Sequence, residues 1–405
     1  MIRTGTLLRL VLFLALLGLA GGRAVAGSDF AACVATLGDQ AKRAGISPAV
    51  VEASLAGIER QERVIELDRG QPEFVTTFAD YFDHRVTERR VERGRELLEE
   101  HERLLDRVYR DYGVPPRYLV AFWGLETNYG SYFGRMPVLD SIATLACDER
   151  RSEFFTTQLI AALRIIDEGA ISPRRMQGSW AGAMGHVQFM PSVFLKYAVD
   201  YDGDGRRDLW GSLPDAMASA ANYLSDIGWE TGWRWGREVR LPENFPYHYA
   251  GRDQWRPLDE WRELGVRDAY GRKLAGGDIE AALLVPQGHA GPAFLVYPNF
   301  EVIMRWNRSQ LYALAVGRLA DRLAGATTLV QQPPEGPRLR REQVAALQEH
   351  LKAKGFDSGP IDGIPGPLTR QALRAYQQTQ GMVADGYPSP ALLAHVAPQL
   401  AEASE

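Results

Sequence analysis

The sequence contains little cysteine, no excess of basic charge and no long hydrophobic run. Only two of its 405 residues are cysteine, and it has neither a CxxC pair nor an HExxH motif, so a disulfide-dense scaffold and a standard zinc site are excluded. The formal net charge is −5, which argues against nucleic-acid binding through an overall basic field. With 45% hydrophobic and 24% charged residues, the composition is that of a globular protein, and the length predicts two to three domains.

The N-terminal segment has the features of a secretory signal. Basic residues precede an apolar run from Leu10 to Ala20, and Ala24-Val25-Ala26 forms a small-x-small cleavage site. The run is shorter than the about 20 residues that a transmembrane helix needs, so we predict a cleaved signal peptide at residues 1–26, a periplasmic location and no stable membrane anchor. A lipoprotein attached through Cys33 is less favoured. In an oxidising compartment, Cys33 and Cys147 form either a disulfide or two inert buried thiols.

Helical periodicity dominates the rest of the chain. The stretch from Val86 to Tyr109 predicts one amphipathic helix that Gly113 ends, and Pro115-Pro116 begin the next helix. Further helices are predicted at 47–58, 152–168, 190–199, 213–228 and 308–324, and short strands at 239–241, 281–285 and 294–297. We therefore predict a mainly α domain with a minor β element.

A change in composition marks a boundary near the C-terminus. Residues 327–337 are rich in Gln, Pro and Gly and predict a semi-extended linker. After it, three helical runs surround the turn at 362–366 and predict a small three-helix module at 338–397. The predicted division is a signal peptide at 1–26, a main domain at 27–326, the linker and the module.

A single acid, Glu126, interrupts the apolar segment YLVAFWGLETNYG. Helical spacing puts Leu119, Phe122 and Trp123 on the face of Glu126. Desolvation raises the pKa of a carboxyl group, which suits a general acid that later acts as a base. The alternative is a structural carboxylate that caps a helix or pairs with an arginine.

A glycine-rich loop and an Asp-rich loop follow. In GSWAGAMGHVQFMP, at 178–191, small residues allow close approach to a ligand, Ser179 and Gln188 offer hydrogen bonds, and His186 is predicted to be a local hydrogen-bonding residue. In DYDGDGRRD, alternating acids resemble the first half of an EF-hand loop, although Gly211 stands where the closing Glu belongs. The pattern allows two interpretations of this second loop: a cation-binding site and a solvated Asp-rich turn.

The segments WGLETNYG, GSWAGAMGHVQFMP and AVDYDGDGRRDLW, in this order, resemble the lytic murein transglycosylase B family over about residues 30–323. The segment GFDSGPIDGIPGPLTRQALRAYQ resembles the type-one peptidoglycan-binding domain. The resemblance implies a lysozyme-like α+β catalytic domain at 27–326, a peptidoglycan-binding domain at 338–397, and peptidoglycan glycan strands as the partner. Rival functions are a lysozyme-like muramidase and a non-catalytic murein-binding scaffold.

The resemblance also implies the site residues. Glu126 matches the family's only catalytic acid/base. The residues that match its substrate-binding positions are Tyr81, Arg150, Arg151, Ser179, Gln188, Phe189, Met190, Tyr223, Trp306, Asn307 and Tyr312. Trp306 stands where the family usually has Tyr, so ring stacking is expected to survive and a hydroxyl contact to be lost. The family's calcium loop matches Asp200, Asp202, Asp204, the Arg206 carbonyl and Asp215, which implies a structural Ca2+ or Na+ and no organic cofactor.

Overall fold

The structure, a computed structural model, describes residues 21–70, 76–334 and 339–398. The helices in this part of the chain are α1 (Gly21–Arg43), α2 (Pro48–Leu55), α3 (Glu62–Gly70), α4 (Phe78–Arg85), α5 (Glu88–Glu100), α6 (Glu102–Tyr112), α7 (Pro116–Thr127), α8 (Val138–Ala146), α9 (Ser152–Asp167), α10 (Pro191–Tyr197), α11 (Leu213–Asp226), α12 (Leu258–Glu263), α13 (Pro298–Trp306), α14 (Gln310–Leu323), α15 (Arg341–Ala353), α16 (Pro367–Thr379) and α17 (Pro390–Val396). The strands are β1 (Met136–Pro137), β2 (Gln177–Gly178), β3 (Gly236–Arg240), β4 (Arg256–Pro257), β5 (Arg267–Asp268), β6 (Glu280–Leu284) and β7 (Ala293–Val296). The prediction of a mainly α protein with a minor β element is confirmed.

The chain forms two compact units. Among the described residues, the first comprises residues 21–68, 134–183 and 190–195, and the second comprises residues 69–70, 76–133, 184–189, 196–334 and 339–398. Within the first unit, α8 packs on α9, and a disulfide joins Cys33 in α1 to Cys147 at the end of α8. Of the two alternatives for Cys33 and Cys147, a disulfide or two buried thiols, the structure has the disulfide.

The predicted single helix from Val86 to Tyr109 is wrong, because the chain breaks at His101 into α5 and α6. His101 leaves the α-helical region, with φ −108° and ψ 17°. Apolar spacing continues through both helices, so periodicity alone does not mark the break. The two helix boundaries predicted nearby are confirmed: Gly113 ends α6 with φ 74°, and Pro116 occupies the first turn of α7.

The second unit contains an antiparallel five-stranded sheet in the order β4-β6-β7-β3-β5. The three predicted strands correspond to β3, β6 and β7. Their inner side chains pack with Trp261, Phe245 and Tyr247 in one buried cluster. Helices α1, α3, α4, α8, α12 and α13 are additional to those predicted from periodicity.

The predicted three-helix module is confirmed as α15, α16 and α17, which bury Leu347, Leu373 and Leu392 in a core of their own. The predicted linker is only partly described, since residues 335–337 lie outside the described residues. Its first part is fixed by buried Glu238, which accepts the backbone N–H groups of Val330 at 3.1 Å and Gln331 at 2.7 Å.

The predicted signal peptide lies largely outside the described residues, which begin at Gly21. The predicted cleavage site at Ala24–Ala26 falls in the backbone of α1. Across the described ranges, no helix combines the length and the apolar character that crossing a bilayer requires.

Candidate active site

Glu126 lies in the last turn of α7, in the second unit. Nine of the 12 residues of this helix are buried, because apolar and aromatic side chains cover nearly its whole circumference. The helix ends at Thr127 and is followed by Asn128 and Tyr129, which have φ values of 48° and 60°. Positive φ at two successive residues that are not glycine is costly, and such backbone strain is concentrated at functional sites.

One oxygen of Glu126 accepts two hydrogen bonds from α13 and α14. Trp306 Nε1 donates to Oε1 at 2.8 Å, and the Tyr312 hydroxyl donates to the same oxygen at 2.5 Å. Neither donor bonds Oε2. At position 306 the indole N–H group thus donates a hydrogen bond where a hydroxyl contact was expected to be lost. The Trp306 ring packs against Phe122 at a tilt of 36°, with 4.5 Å between ring centroids.

Burial raises the pKa of Glu126 above its ordinary value, because desolvation penalises the carboxylate. Hydrogen bonds from Tyr312 and Trp306 and the positive charge of Arg85 act in the opposite direction, since each favours the ionised form. None of the groups that shift this pKa is a second carboxylate. Burial thus favours the neutral form of Glu126 more than water does, while two hydrogen-bond donors and the charge of Arg85 stabilise its anion.

Three aromatic rings form a cluster beside this carboxyl. Trp306 lies 5.3 Å from Tyr223 and 5.5 Å from Phe189, between ring centroids. Phe189 is only 2% exposed, so its ring supports Trp306 and offers no open face for a sugar. Tyr223 and Trp306 are half-buried and keep accessible surface.

The glycine-rich loop has a strained residue next to this cluster. Gln188 has φ 49°, and its Nε2 donates to the backbone carbonyls of Phe133 at 3.2 Å and Gly185 at 3.1 Å. His186 has the local role predicted for it, because its Nδ1 accepts a hydrogen bond from Trp123 Nε1 at 2.9 Å. Burial lowers the pKa of His186 to about 4, so the ring is neutral at physiological pH.

Two other predicted residues of the second unit lie on exposed or half-exposed surface. The Tyr81 ring is half-buried in α4, and the Arg85 guanidinium lies over it, 5.4 Å from the ring centroid. Asn307 is exposed after α13, and its side-chain oxygen accepts the backbone N–H of Ser309 at 3.0 Å. Sequence reasoning missed Arg85. The only local signal for it was an arginine four residues after Tyr81, which is one helical turn.

The remaining predicted binding residues belong to the first unit. Arg150 and Arg151 both form ion pairs with the Asp68 carboxylate, which is buried, so this arginine pair is held by an internal counter-charge. Ser179 accepts the backbone N–H of Ala183 at 3.0 Å and thereby closes the start of the loop. Met190 is half-buried immediately before α10.

The Asp-rich loop brings together part of its predicted ligand set. The carboxylates of Asp200, Asp202 and Asp204 have oxygens within 4.8 Å of one another, and all three residues are exposed. The Arg206 side chain pairs with Asp204 at 3.1 Å. Asp215 is fully buried and lies outside this group of three.

The buried carboxylate of Asp215 serves the backbone of the loop. Its Oδ1 accepts the N–H of Tyr201 and its Oδ2 accepts the N–H of Asp208, each at 2.8 Å. These hydrogen bonds satisfy backbone groups that the irregular loop would otherwise bury without partners.

Comparison with known proteins shows two domain families. The transglycosylase SLT domain matches residues 29–321, and the putative peptidoglycan binding domain matches residues 340–396. Membrane-bound lytic murein transglycosylase B of Escherichia coli strain K12 is 34% identical over 246 residues, which cover 59% of this chain and 65% of that protein. The aligned region thus spans a little less than two thirds of the curated relative.

Two solved structures extend the comparison. SltB3 from Pseudomonas aeruginosa, in complex with NAG-anhNAM-pentapeptide, is 46% identical with a TM-score of 0.87, covering 91% of this chain and 99% of that chain. The Escherichia coli lytic transglycosylase Slt35, in complex with calcium, is 30% identical with a TM-score of 0.63, covering 72% of this chain and 92% of that chain. The chain therefore belongs to the transglycosylase SLT domain family and carries a C-terminal domain of the peptidoglycan-binding type.

Proposed function

We propose that this protein is a lytic murein transglycosylase. It cleaves the β-1,4 bond between N-acetylmuramic acid and N-acetylglucosamine in peptidoglycan without water and leaves a 1,6-anhydro-muramoyl end. The observation that carries this proposal is the desolvated carboxyl of Glu126, which accepts two donors on one oxygen and whose pKa no other carboxylate of the described residues shifts. The anhydro sugar bound by the similar SltB3 structure supports the same product.

In the first step, neutral Glu126 acts as the general acid. Because Oε1 accepts hydrogen bonds from Trp306 and Tyr312, the proton resides on Oε2. Glu126 donates it to the glycosidic oxygen as the bond to the anomeric carbon breaks, and N-acetylglucosamine leaves with a hydroxyl group. The 2-acetamido group of the muramoyl residue stabilises the positive charge at the anomeric carbon, as in substrate-assisted glycosidases.

In the second step, the same carboxyl acts as the base. Glu126 is now a carboxylate whose charge Trp306 and Tyr312 stabilise through Oε1. It removes the proton from the muramoyl 6-hydroxyl, and that oxygen bonds to the anomeric carbon and closes the anhydro ring. Glu126 recovers the proton it gave away, so one carboxyl completes the cycle, where hydrolases generally use two.

The mass of the products tests this proposal against its two rivals. Purified murein sacculi are digested and the released sugars are weighed. An anhydro end is lighter by one water than the reducing end that a lysozyme-like muramidase produces, so reducing ends alone would refute transglycosylation. A non-catalytic scaffold would sediment with sacculi and release no sugar at all.

We further propose that the residues predicted as substrate-binding take part in binding the glycan strand, directly or by supporting a neighbour, and that residues 338–397 retain the enzyme on insoluble murein. The first set comprises Tyr81, Arg150, Arg151, Ser179, Gln188, Phe189, Met190, Tyr223, Trp306, Asn307 and Tyr312. Phe189 acts in this set through the ring of Trp306 that it supports. The domain division at 326 and 338, the signal peptide at 1–26 and the periplasmic location belong to the same proposal, since peptidoglycan lies outside the cytoplasm.

A calcium ion in the Asp-rich loop is also a proposal. Three exposed carboxylates within 4.8 Å of one another supply the hard oxygen donors that Ca2+ prefers, and the calcium complex of Slt35 supports this choice of ion. The Arg206 carbonyl would complete the set, and Asp215 would hold the loop backbone.

Calcium is expected to raise the melting temperature of the chelator-treated protein, because an ion that binds only the folded state stabilises it by mass action, by about 2.7 kcal/mol at a hundredfold excess over Kd. Differential scanning calorimetry with and without calcium measures the shift. Asp200→Asn should abolish it, while Asp278→Asn, at an exposed position outside the loop, should retain it. An equal calcium shift in both variants would contradict the site.

Trp306→Phe is expected to extend activity to higher pH. The phenyl ring keeps the packing against Phe122 but loses the donor that favours the Glu126 carboxylate, so the pKa of Glu126 rises further. Activity requires the protonated acid, and kcat/KM therefore falls at a higher pH in the variant than in the wild type. Rates on soluble glycan fragments between pH 4 and 9, roughly the range that spans carboxyl and histidine titration, measure this. An unshifted profile would refute the role given to the indole N–H.

A further inference from the structure

Arg85 ends α4 beside the candidate active site and is not among the residues predicted from the sequence. Its Nη1 donates to the backbone carbonyl of Leu125, the residue before Glu126, at 3.3 Å. Its guanidinium lies 5.4 Å from the centroid of the Tyr81 ring, and its own carbonyl accepts a hydrogen bond from Arg90. The half-buried side chain is thus held by the Leu125 carbonyl and the Tyr81 ring, while Arg90 holds the backbone of Arg85.

The charge of Arg85 has no carboxylate within ion-pair distance in the described part of the chain. Its positive charge instead acts on Glu126 and Tyr312, for which it favours the ionised forms. Together with burial, the charge of Arg85 also lowers the pKa of Arg90, because two neighbouring positive charges repel each other. Tyr81 adds to the cost of ionising Tyr312. Arg85 is therefore the cation that favours the anionic form of Glu126.

We propose that Arg85 is a positioning residue that stabilises the Glu126 carboxylate through space after the proton has moved to the glycosidic oxygen. The inference rests on the proposed function of Glu126 as acid and base. Trp306 and Tyr312 stabilise the anion by occupying Oε1, and a third hydrogen-bond donor would compete for Oε2. A charge held by the Leu125 carbonyl and the Tyr81 ring acts on the whole carboxylate and leaves Oε2 free to exchange its proton with the substrate.

Three substitutions separate the charge of Arg85 from its packing. Arg85→Gln and Arg85→Met remove the charge, and the methionine retains an apolar stem against Tyr81. Arg85→Lys keeps the charge, and Arg89→Gln is the matched control because it removes an arginine from an exposed position of α5. Each purified variant is assayed for kcat/KM on soluble glycan fragments across the pH range, with thermal melting as the measure of folding.

We expect both neutral variants to lose about tenfold in kcat near neutral pH, because the loss of anion stabilisation weakens the acid. The high-pH limb of their kcat/KM profile should move to higher pH. Arg85→Lys should restore the wild-type limb, and Arg89→Gln should match the wild type. A uniform loss of activity with an unshifted limb, or a lysine variant that behaves like the methionine variant, would overturn the inference. An active Glu126→Gln protein would refute the proposed function itself, which keeps the two failures distinguishable.

Discussion

Glu126→Gln is expected to lower kcat on murein by about a thousandfold or more. General acid and base catalysis contribute about 10²–10⁴ each, and here both come from one side chain. Glutamine keeps an oxygen that accepts the hydrogen bonds of Trp306 and Tyr312, but its amide has no proton that it can donate and recover. Turbidity loss of sacculi and mass spectrometry of released sugars measure the effect.

The same variant provides its own control for binding and folding. The substitution removes no contact that the neutral acid makes through Oε1, so the melting temperature and sedimentation with sacculi should equal those of the wild type. Wild-type clearing by Glu126→Gln would eliminate Glu126 as the acid. Loss of activity together with loss of folding would instead assign this carboxyl a structural role, the alternative that the sequence left open.

Removal of the disulfide is expected to be the largest change in stability. The bond between Cys33 and Cys147 closes a loop with a sequence separation of 114, and cross-links of this length restrict the unfolded chain strongly. The double substitution Cys33→Ser with Cys147→Ser should lower the free energy of unfolding by about 2–5 kcal/mol. Denaturant titration, followed separately by fluorescence and circular dichroism, measures the change in the first unit.

Treatment with a reductant supplies the matched comparison. Reduced wild-type protein should unfold at the midpoint of the double serine variant, and the reductant should leave that variant unchanged. Glu126 belongs to the other compact unit, so kcat of the folded variant should remain near the wild-type value. Identical midpoints for oxidised wild type and the serine variant would show that the bond does not form in the protein.

Local pattern explains the elements that the sequence predicted correctly and the one that it predicted wrongly. Gly113 ends α6 and Pro116 begins α7 because of the backbone conformations that these two residue types favour, so both boundaries were predictable. The break at His101 leaves apolar spacing intact on both sides and therefore escaped the same reasoning. Apart from α1, the helices outside the prediction have six to nine residues and carry too few turns for a clear period.

The sequence alone determined the family motifs, the helix-rich class and the placement of one acid among apolar neighbours on α7. These properties depend on the order of residues within a few helical turns. That order determines the local conformation and which side chains lie on the same face of a helix. Only the tertiary structure decided how that acid is tuned, because its donors lie 180 and 186 residues further along the chain. Packing also joined Cys33 to Cys147, left Asp215 out of the carboxylate group and brought Arg85 to the backbone carbonyl of Leu125, next to Glu126. Contacts between distant segments arise from burial of their apolar faces against one another, and no local spacing encodes which polar atoms then meet.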